Sequence, residues 1–275
     1  MLRNTKRIVL VVLFALVLSA CSQSQENKAV VLATTTSTEN SGLLEYLLPK
    51  FQADTGLEVK VIAVGTGKAL RMAQDGDVDL LMVHAKLAEE SFVTAGYGVE
   101  RVELMYNDFV FVGPKSDPAG LSKLTDINDT LHALAETPAQ FLSRGDDSGT
   151  HKKELGLWKT AGIKPGGEYY RELGQGMGKT LQIANELQAY TLIDRGTWLS
   201  YMGKVDLDIL FEGSPPLNNQ YSMIIVNPDR YPDRNQAGAE RLVEWLTSEQ
   251  GQALIGDFRV QGQLLFKPNS LFLSE

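Results

Sequence analysis

Hydrophobic and polar positions follow two different periods in the first third of the chain. Segments 29–37 (AVVLATTTS) and 57–65 (LEVKVIAVG) are apolar or alternating, as in strands that end in hydroxyl residues or glycine. Between them, segment 42–56 carries apolar residues at helical spacing: Leu43, Leu44, Leu47, Leu48 and Phe51. A short helix closed by Gly76 and a buried strand over 78–85 follow. This order of strand, helix and strand predicts an α/β fold with a largely parallel sheet covered on both faces.

The same order of elements returns in the second half of the chain. Segment 138–146 ends a strand, and 148–163 has the pattern of a helix that closes near Gly162. Segment 174–188 begins another helix after a glycine-rich turn, and 189–198 is a strand that runs into a turn. A second α/β unit is therefore expected.

Two extended apolar runs, 107–114 and 219–228, lie about 110 residues apart and suggest how the two units are joined. We interpret them as paired strands that cross between two lobes, so that the chain leaves the first lobe and later returns. Lobe I then comprises 29–112 and 222–275, and lobe II comprises 113–221. The alternative is that both strands belong to one single sheet.

The N-terminus predicts an exported lipoprotein. Three basic residues precede the apolar run 8–18, which is short for a membrane span and ends in LSAC. Residues 1–20 are read as a signal peptide, Cys21 as the lipid-bearing residue and 21–28 as its polar tether. The alternatives are a structural cysteine or a transmembrane anchor. Cys21 is the only cysteine in the sequence, so it has no partner for an intramolecular disulfide.

Charge limits the classes of ligand. The formal net charge is −8, and removing residues 1–20 with their three positive charges makes it −11. A chain this acidic does not bind nucleic acid through a general positive field, and any anion must be captured locally.

Four turns share one form, in which a strand ends, small or hydroxyl residues follow and a helix begins. They are 34–42, 65–70, 144–151 and 174–180. Unpaired N–H groups and a partial positive charge at a helix N-terminus attract anions, and Ser and Thr add O–H donors. Ordinary helix capping is the alternative for each turn. A nucleotide-binding loop is excluded for GQGMGKT, because that motif needs glycine where Leu173 stands.

The segment SRGDDSGTH (143–151) permits three interpretations. Arg-Gly-Asp resembles an adhesion ligand, and Ser148, Asp147 and His151 are the residue types of a hydrolytic triad, but no G-x-S-x-G elbow is present. An anion site fits better, because Arg144 offers a permanent charge and a fork of donors. Asp146 and Asp147 could orient Arg144, cap the helix or accept a proton from a protonated ligand. The three histidines of the sequence (84, 132 and 151) have no metal-ligand spacing.

The blocks ATTTSTENSGLLEYLLPKF, VGTGKAL, RGDDSGTHKKELGLW and GQGMGKTL resemble those of tungstate-binding lipoproteins over essentially the whole mature chain. The resemblance implies a type II periplasmic-binding-protein fold, with two doubly wound α/β lobes joined by a two-strand hinge. It implies a monomeric binding protein without enzymatic activity or cofactor, which captures tungstate and delivers it to the permease and ATPase subunits of an ABC importer. Its place is on the outer side of a bacterial membrane. The implied ligand contacts are Thr35, Thr36, Ser37, Thr66, Gly67, Lys68, Arg144, Ser148, Gly149, Thr150, Met177 and Gly178.

Molybdate, phosphate and an exported serine hydrolase remain the alternatives to tungstate binding. Tungstate is a dianion without a proton near neutral pH, so it requires hydrogen-bond donors only. A donor-only site would reject phosphate, whose proton needs an acceptor, and a roomy cavity would disfavour the smaller sulfate. Molybdate has nearly the same size as tungstate, and the sequence gives no basis for separating the two ions.

Overall fold

A computed structural model describes residues 28–270. The predicted signal peptide, the lipidation site at Cys21 and all but the last residue of the tether lie outside this range. None of the helices between residues 28 and 270 has the length and apolar character needed to cross a membrane.

The described chain alternates strands and helices along most of its length. The strands are β1 (Val30–Thr35), β2 (Val59–Val64), β3 (Leu80–Val83), β4 (Val102–Pro114), β5 (Phe141–Ser143), β6 (Tyr170–Glu172), β7 (Tyr190–Asp194), β8 (Leu207–Phe211), β9 (Asn218–Ile225), β10 (Arg259–Val260), β11 (Gln263–Leu264) and β12 (Lys267–Pro268). The helices are α1 (Thr36–Asn40), α2 (Leu43–Thr55), α3 (Thr66–Asp75), α4 (Lys86–Thr94), α5 (Ile127–Glu136), α6 (Gly149–Thr160), α7 (Met177–Leu187), α8 (Arg195–Tyr201), α9 (Gln236–Thr247) and α10 (Glu249–Asp257). Two 3-10 turns cover Leu121–Lys123 and Pro215–Leu217.

The main sheet is mixed, with the order β2-β1-β3-β9-β4-β7-β5-β6. Pairing is parallel at both ends, where β1 lies between β2 and β3 and β5 lies between β6 and β7. It is antiparallel in the centre, where β9 pairs with β3 and β4 pairs with β9, β7 and β8. The expected parallel sheets are therefore present as two end sections, joined through antiparallel strands.

The strand β4 belongs to both sections. Val102–Asp108 pairs with β9, and Phe109–Pro114 pairs with β7 and β8. The prediction started this strand at Asn107, but it begins five residues earlier, and the earlier residues make most of the contact with β9. The two extended runs do pair, but only through Asn107 and Asn219, since Asp108 pairs with Asn218 just before the second run.

Apolar side chains cover both faces of the sheet. Leu80 and Met82 of β3 join the cluster that contains apolar residues of α2, α9 and α10, whereas Leu81 and Val83 join a cluster with α3 and α4. In β4, alternate side chains likewise belong to two different clusters. A strand buried on both faces requires helices on both faces, which is the doubly wound arrangement.

The segment 189–198 differs from its predicted form. It was expected to run from strand into turn, but α8 begins at Arg195, directly after β7. The Asp194 carboxylate caps this helix by accepting from the Thr197 N–H at 2.9 Å. Gly196 lies in the first turn of the helix, where an added Cβ would come within 3.3 Å of Leu265.

A buried ion pair and its hydrogen bonds connect α4 with the strand β9. Glu89 is fully buried and accepts from the Nε of Arg101 at 2.6 Å and from the hydroxyl of Ser222 in β9 at 2.5 Å. Its other carboxylate oxygen accepts from the backbone N–H of Ala85, the residue just before α4. Glu89 therefore fixes the start of α4 against β9.

Candidate anion-binding site

Three helix N-termini from opposite ends of the sheet converge on one cavity of about 370 Å³. They belong to α1, α3 and α6, and each follows the carboxyl end of a strand or the loop after it. The lining residues are Thr35, Thr36, Ser37, Gly65, Thr66, Gly67, Lys68, Arg71, His84, Arg144, Asp146, Asp147, Ser148, Gly149 and Thr150. Ten of the twelve residues expected at the site are thus brought together.

The first turn combines helix capping with exposed hydroxyl groups. Thr35 is the N-cap of α1, and its Oγ1 accepts from the Thr38 N–H at 3.3 Å. The same oxygen lies 3.0 Å from the Ser37 hydroxyl and 2.7 Å from the Thr38 hydroxyl. The capping alternative is therefore correct for Thr35, and it coexists with a position on the cavity wall.

The second turn offers backbone donors at the start of α3. Gly65 is the N-cap, and the N–H groups of Lys68 and Ala69 both donate to its carbonyl oxygen, at 2.9 and 3.0 Å. The N–H groups of Thr66 and Gly67 precede these bonds, so they are the donors that an anion can use. The backbone N–H of Lys68 is already engaged, which argues against its expected role.

Arg144 lies in the loop after β5 and is held by its neighbour Asp146. Its Nε donates to Asp146 Oδ2 at 3.1 Å, a second guanidinium nitrogen contacts the same oxygen, and Nη1 lies 3.5 Å from the Thr150 hydroxyl. Burial alone would raise the pKa of Asp146, but hydrogen bonds from Ser148 and Arg144 outweigh burial and lower the pKa. Asp146 is therefore an ionised carboxylate that orients Arg144.

The N-terminus of α6 brings the two ends of the sheet into contact. Ser148 is the N-cap, and its Oγ accepts from the His151 N–H at 3.3 Å. An added Cβ on Gly149 would lie 3.3 Å from His84 Cε1 and 3.7 Å from Thr66 Oγ1. The helix α6 thus approaches the opposite turn closely at Gly149, where a larger side chain would have to displace His84.

The geometry does not form a hydrolytic triad. The ring Nδ1 of His151 accepts from the backbone N–H of Asp147 at 3.1 Å, and the Ser148 hydroxyl contacts the backbone of His151 rather than its ring. No imidazole nitrogen is positioned to take a proton from Ser148 among the hydrogen bonds of the described residues, so the nucleophile lacks its base.

Met177 and Gly178 lie outside the cavity wall. Met177 begins α7, but its side chain is buried in the apolar core, and an added Cβ on Gly178 would lie 2.5 Å from the hydroxyl of Tyr201. The glycine of this turn is explained by close packing between α7 and α8.

His84 was not expected at the site. It follows β3 directly, and its Nε2 lies 3.2 Å from the Thr35 hydroxyl and 3.4 Å from the Ser37 hydroxyl. Its Nδ1 lies 2.9 Å from Asn219 Oδ1, and its ring stacks on Tyr221 of β9 with centroids 4.7 Å apart. His84 therefore connects the turn at Thr35 with the strand β9.

The cavity wall is not composed of donors alone. The carboxylates of Asp146 and Asp147 and the imidazole of His84 also line it. The argument that phosphate is rejected because the site lacks acceptors is therefore wrong in its simple form. Asp146 already accepts from Arg144 and Ser148, and Asp147 is paired with Lys152, whereas His84 Nε2 lies within hydrogen-bond distance of the hydroxyl groups. Among residues 28–270, no group of three His, Cys, Asp or Glu side chains is placed to hold a metal ion.

Comparisons with known proteins agree with this architecture. Residues 22–250 match the PBP superfamily domain. The chain is 50% identical to the tungstate-binding protein TupA of Peptoclostridium acidaminophilum, with 96% of this chain and 97% of that protein covered. The structure of a tungstate-binding protein from Desulfovibrio alaskensis superposes with a TM-score of 0.82 at 47% identity, covering 88% of this chain and 99% of the other. The tungstate ABC transporter structure from Geobacter sulfurreducens gives a TM-score of 0.77 at 48% identity, covering 84% and 99%. The chain therefore belongs to the periplasmic-binding-protein superfamily, within the family of substrate-binding proteins that includes these tungstate-binding proteins.

Proposed function

We propose that this protein captures tungstate outside the cytoplasm and delivers it to the permease and ATPase subunits of an ABC importer. The observation that carries the proposal is the convergence of three helix N-termini, their hydroxyl groups and Arg144 on one cavity. A tetrahedral dianion matches this arrangement, since backbone and hydroxyl donors surround it while a guanidinium balances its charge. The protein acts as a binding protein and not as an enzyme.

The ligand set follows from the donors that remain available. It consists of the hydroxyl groups of Thr35, Thr36 and Ser37, the Thr66 and Gly67 N–H groups, and the side chains of Arg144 and Thr150. Ser148 and Gly149 shape the wall, where hydrogen bonds with Asp146 and His151 or close packing already engage them. Met177 and Gly178 are left out, because they lie away from this cavity.

Lobe closure and membrane attachment complete the proposal. Lobe I (29–112 and 222–275) and lobe II (113–221) close around the ion, with the hinge at β4 and β9, and exclude water from each charge-assisted bond. The mature chain is a monomer held at a bacterial membrane through lipidated Cys21.

Calorimetric titration of the purified protein tests the function. We expect tight one-to-one binding of tungstate that excess sulfate does not disturb, and competition with molybdate and with phosphate measures the discrimination among these ions. Molybdate or phosphate that binds far more tightly than tungstate would make that ion the ligand. If none of these oxyanions binds, the three turns are plain helix caps and the proposal is wrong.

Replacing Gly149 with valine is expected to weaken tungstate binding about 5- to 150-fold, equivalent to ~1–3 kcal/mol of overpacking. The new side chain meets His84 and Thr66 where the opposing turns approach each other. Gly156→Val is the matched control on the same helix, because an added Cβ there has no neighbour within 4 Å. Calorimetry compares the two variants, and equal affinities would refute the close approach.

A further inference from the structure

Hydrogen bonds among residues of β4 and β9 fix the tautomer of His84. The side-chain amide nitrogen of Asn219 donates to Asn107 Oδ1 at 2.8 Å and to the Tyr221 hydroxyl at 3.2 Å. Its Oδ1 therefore faces His84 Nδ1 at 2.9 Å, and because this oxygen can only accept, Nδ1 carries the proton. In the neutral imidazole, Nε2 is then a hydrogen-bond acceptor.

This acceptor faces the same hydroxyl groups that a bound anion would use. Nε2 lies 3.2 Å from Thr35 Oγ1 and 3.4 Å from Ser37 Oγ. One nitrogen lone pair accepts one hydroxyl proton, so a hydroxyl that donates to His84 is not available to the anion. The empty site thus directs at least one donor of the first turn away from its ligand.

A conflict arises when a dianion enters the cavity. The anion accepts only, so the hydroxyl groups turn toward it, and Nε2 of the half-buried His84 is left without its donor. A proton on Nε2 removes the conflict. The imidazolium then donates through both ring nitrogens and adds a positive charge beside the anion.

We propose that His84 is a further functional residue of this site, a positioning residue that takes up one proton from solvent as the anion binds and changes from acceptor to donor toward Thr35 and Ser37. This role rests on the proposed oxyanion-binding function. The step forms one N–H bond on Nε2 and breaks no bond in the protein or the ligand.

The groups around His84 determine how its pKa, and with it the tungstate affinity, depends on pH. The ionisable groups that face it are Glu89 of α4, Asp194 before α8, Arg144 of the loop after β5 and Tyr221 of β9. Lys68, Arg71, Asp146 and Asp147 line the same cavity. Burial lowers the pKa of His84 below its usual value, against the raising effects of Asn219, Asp194 and Glu89, and Arg144 lowers it further.

A bound dianion acts in the opposite sense, because a nearby negative charge raises a histidine pKa. The free protein therefore holds His84 neutral and the complex holds it charged. Since the complex binds more protons than the free protein, tungstate affinity rises as the pH falls through the window between the two pKa values.

Calorimetric titration with sodium tungstate at several pH values between about 6.5 and 8.5 tests the proposal. We expect the affinity to fall by up to about tenfold per unit of rising pH, which is the limit for one linked proton. Titrations at one pH in MOPS and in Tris, whose ionisation enthalpies differ, count the protons taken up. Phosphate is avoided as a buffer because it is a candidate competitor.

Three glutamine variants assign the proton to a residue. His84→Gln keeps a polar side chain that does not titrate, and we expect its tungstate affinity to be independent of pH with no proton uptake. His132→Gln, on the exposed face of α5, should keep the dependence of the parent. His151→Gln tests the third histidine, and a dependence that disappears in this variant but persists in His84→Gln would overturn the assignment.

A measurement on the unsubstituted protein does not depend on the folding of any variant. The imidazole proton resonances, followed by NMR against pH with and without tungstate, should show one histidine whose pKa rises on binding. Tight binding with no proton uptake and no such shift would overturn the role of His84 alone. If tungstate does not bind at any pH, the proposed function fails first.

Discussion

Replacing Arg144 with alanine is expected to weaken tungstate binding roughly 30- to 4,000-fold, equivalent to ~2–5 kcal/mol. The guanidinium is mostly buried and lies on the cavity wall, where it is paired with Asp146. Its removal deletes a charge-assisted donor and leaves the Asp146 carboxylate uncompensated beside the incoming dianion. The two effects add, so the loss should exceed that of any single hydroxyl in the site.

Two further variants separate these effects. Arg144→Lys keeps the charge but loses the planar fork, and we expect it to retain part of the affinity. Adding Asp146→Asn to Arg144→Ala removes the uncompensated carboxylate and should recover part of the loss, which calorimetry measures as a double-mutant cycle. An Arg144→Ala variant that binds tungstate like the parent would show that Arg144 is not a ligand.

Replacing Glu89 with alanine is expected to lower the free energy of unfolding by ~3–5 kcal/mol, because it leaves a buried charge without its partner. Arg101 is paired with Glu89 at 2.6 Å, and its side chain is only 12% exposed. It keeps one partner, Glu103 at 2.7 Å, but that carboxylate is 42% exposed and compensates less. The hydroxyl of Ser222 and the N–H of Ala85 also lose their acceptor.

Urea unfolding followed by circular dichroism measures this loss. Glu89→Gln is the matched control, since an amide oxygen still accepts hydrogen bonds in nearly the same volume, and its cost should be smaller. Glu103→Gln removes the exposed half of the network and should cost less than ~1 kcal/mol. A Glu89→Ala variant within ~1 kcal/mol of the parent would mean that Arg101 finds water instead.

The turns at the carboxyl ends of the strands were predictable because their signals are local. Thr35, Gly65 and Ser148 cap helices; the first two stand where a strand stops, and Ser148 ends the loop after β5. Parallel strands of one section end at the same edge, so turns that are distant in sequence converge. The common edge of β1 and β2 accounts for the meeting of the Thr35 and Gly65 turns, and residues of the loop after β5 complete the cavity wall from the other section.

The same reasoning could have found His84, since it follows β3 at the edge where the Thr35 turn lies. Metal-ligand spacing among the histidines carries no information about this position. Met177 and Gly178, by contrast, were expected at the site but do not line this cavity. Their glycine-rich pattern marks a helix start, but whether that start faces the cavity or a neighbouring helix depends on packing with Tyr201, a contact that local sequence does not encode.

The start of β4 and the start of α8 were missed because neighbouring signals conflicted. Residues 102–106 continue β4 beyond the apolar run that marked it, and they are set by pairing with β9 rather than by their own pattern. Asp194 with Thr197 forms a helix start that glycine at 196 concealed. Tertiary pairing and packing decided both boundaries.

The place of β9 in the sheet also determines the order in which the chain can fold. This strand lies between β3 and β4, yet more than a hundred residues separate it from either one along the chain. Until Asn218–Ile225 has been synthesised, the inner edge of β3 has no partner and the sheet has a gap at its centre. Closing that gap requires one of the longest loops in the molecule, so its entropy opposes early completion of the first section. The nascent protein therefore stays incompletely folded until most of its length is available.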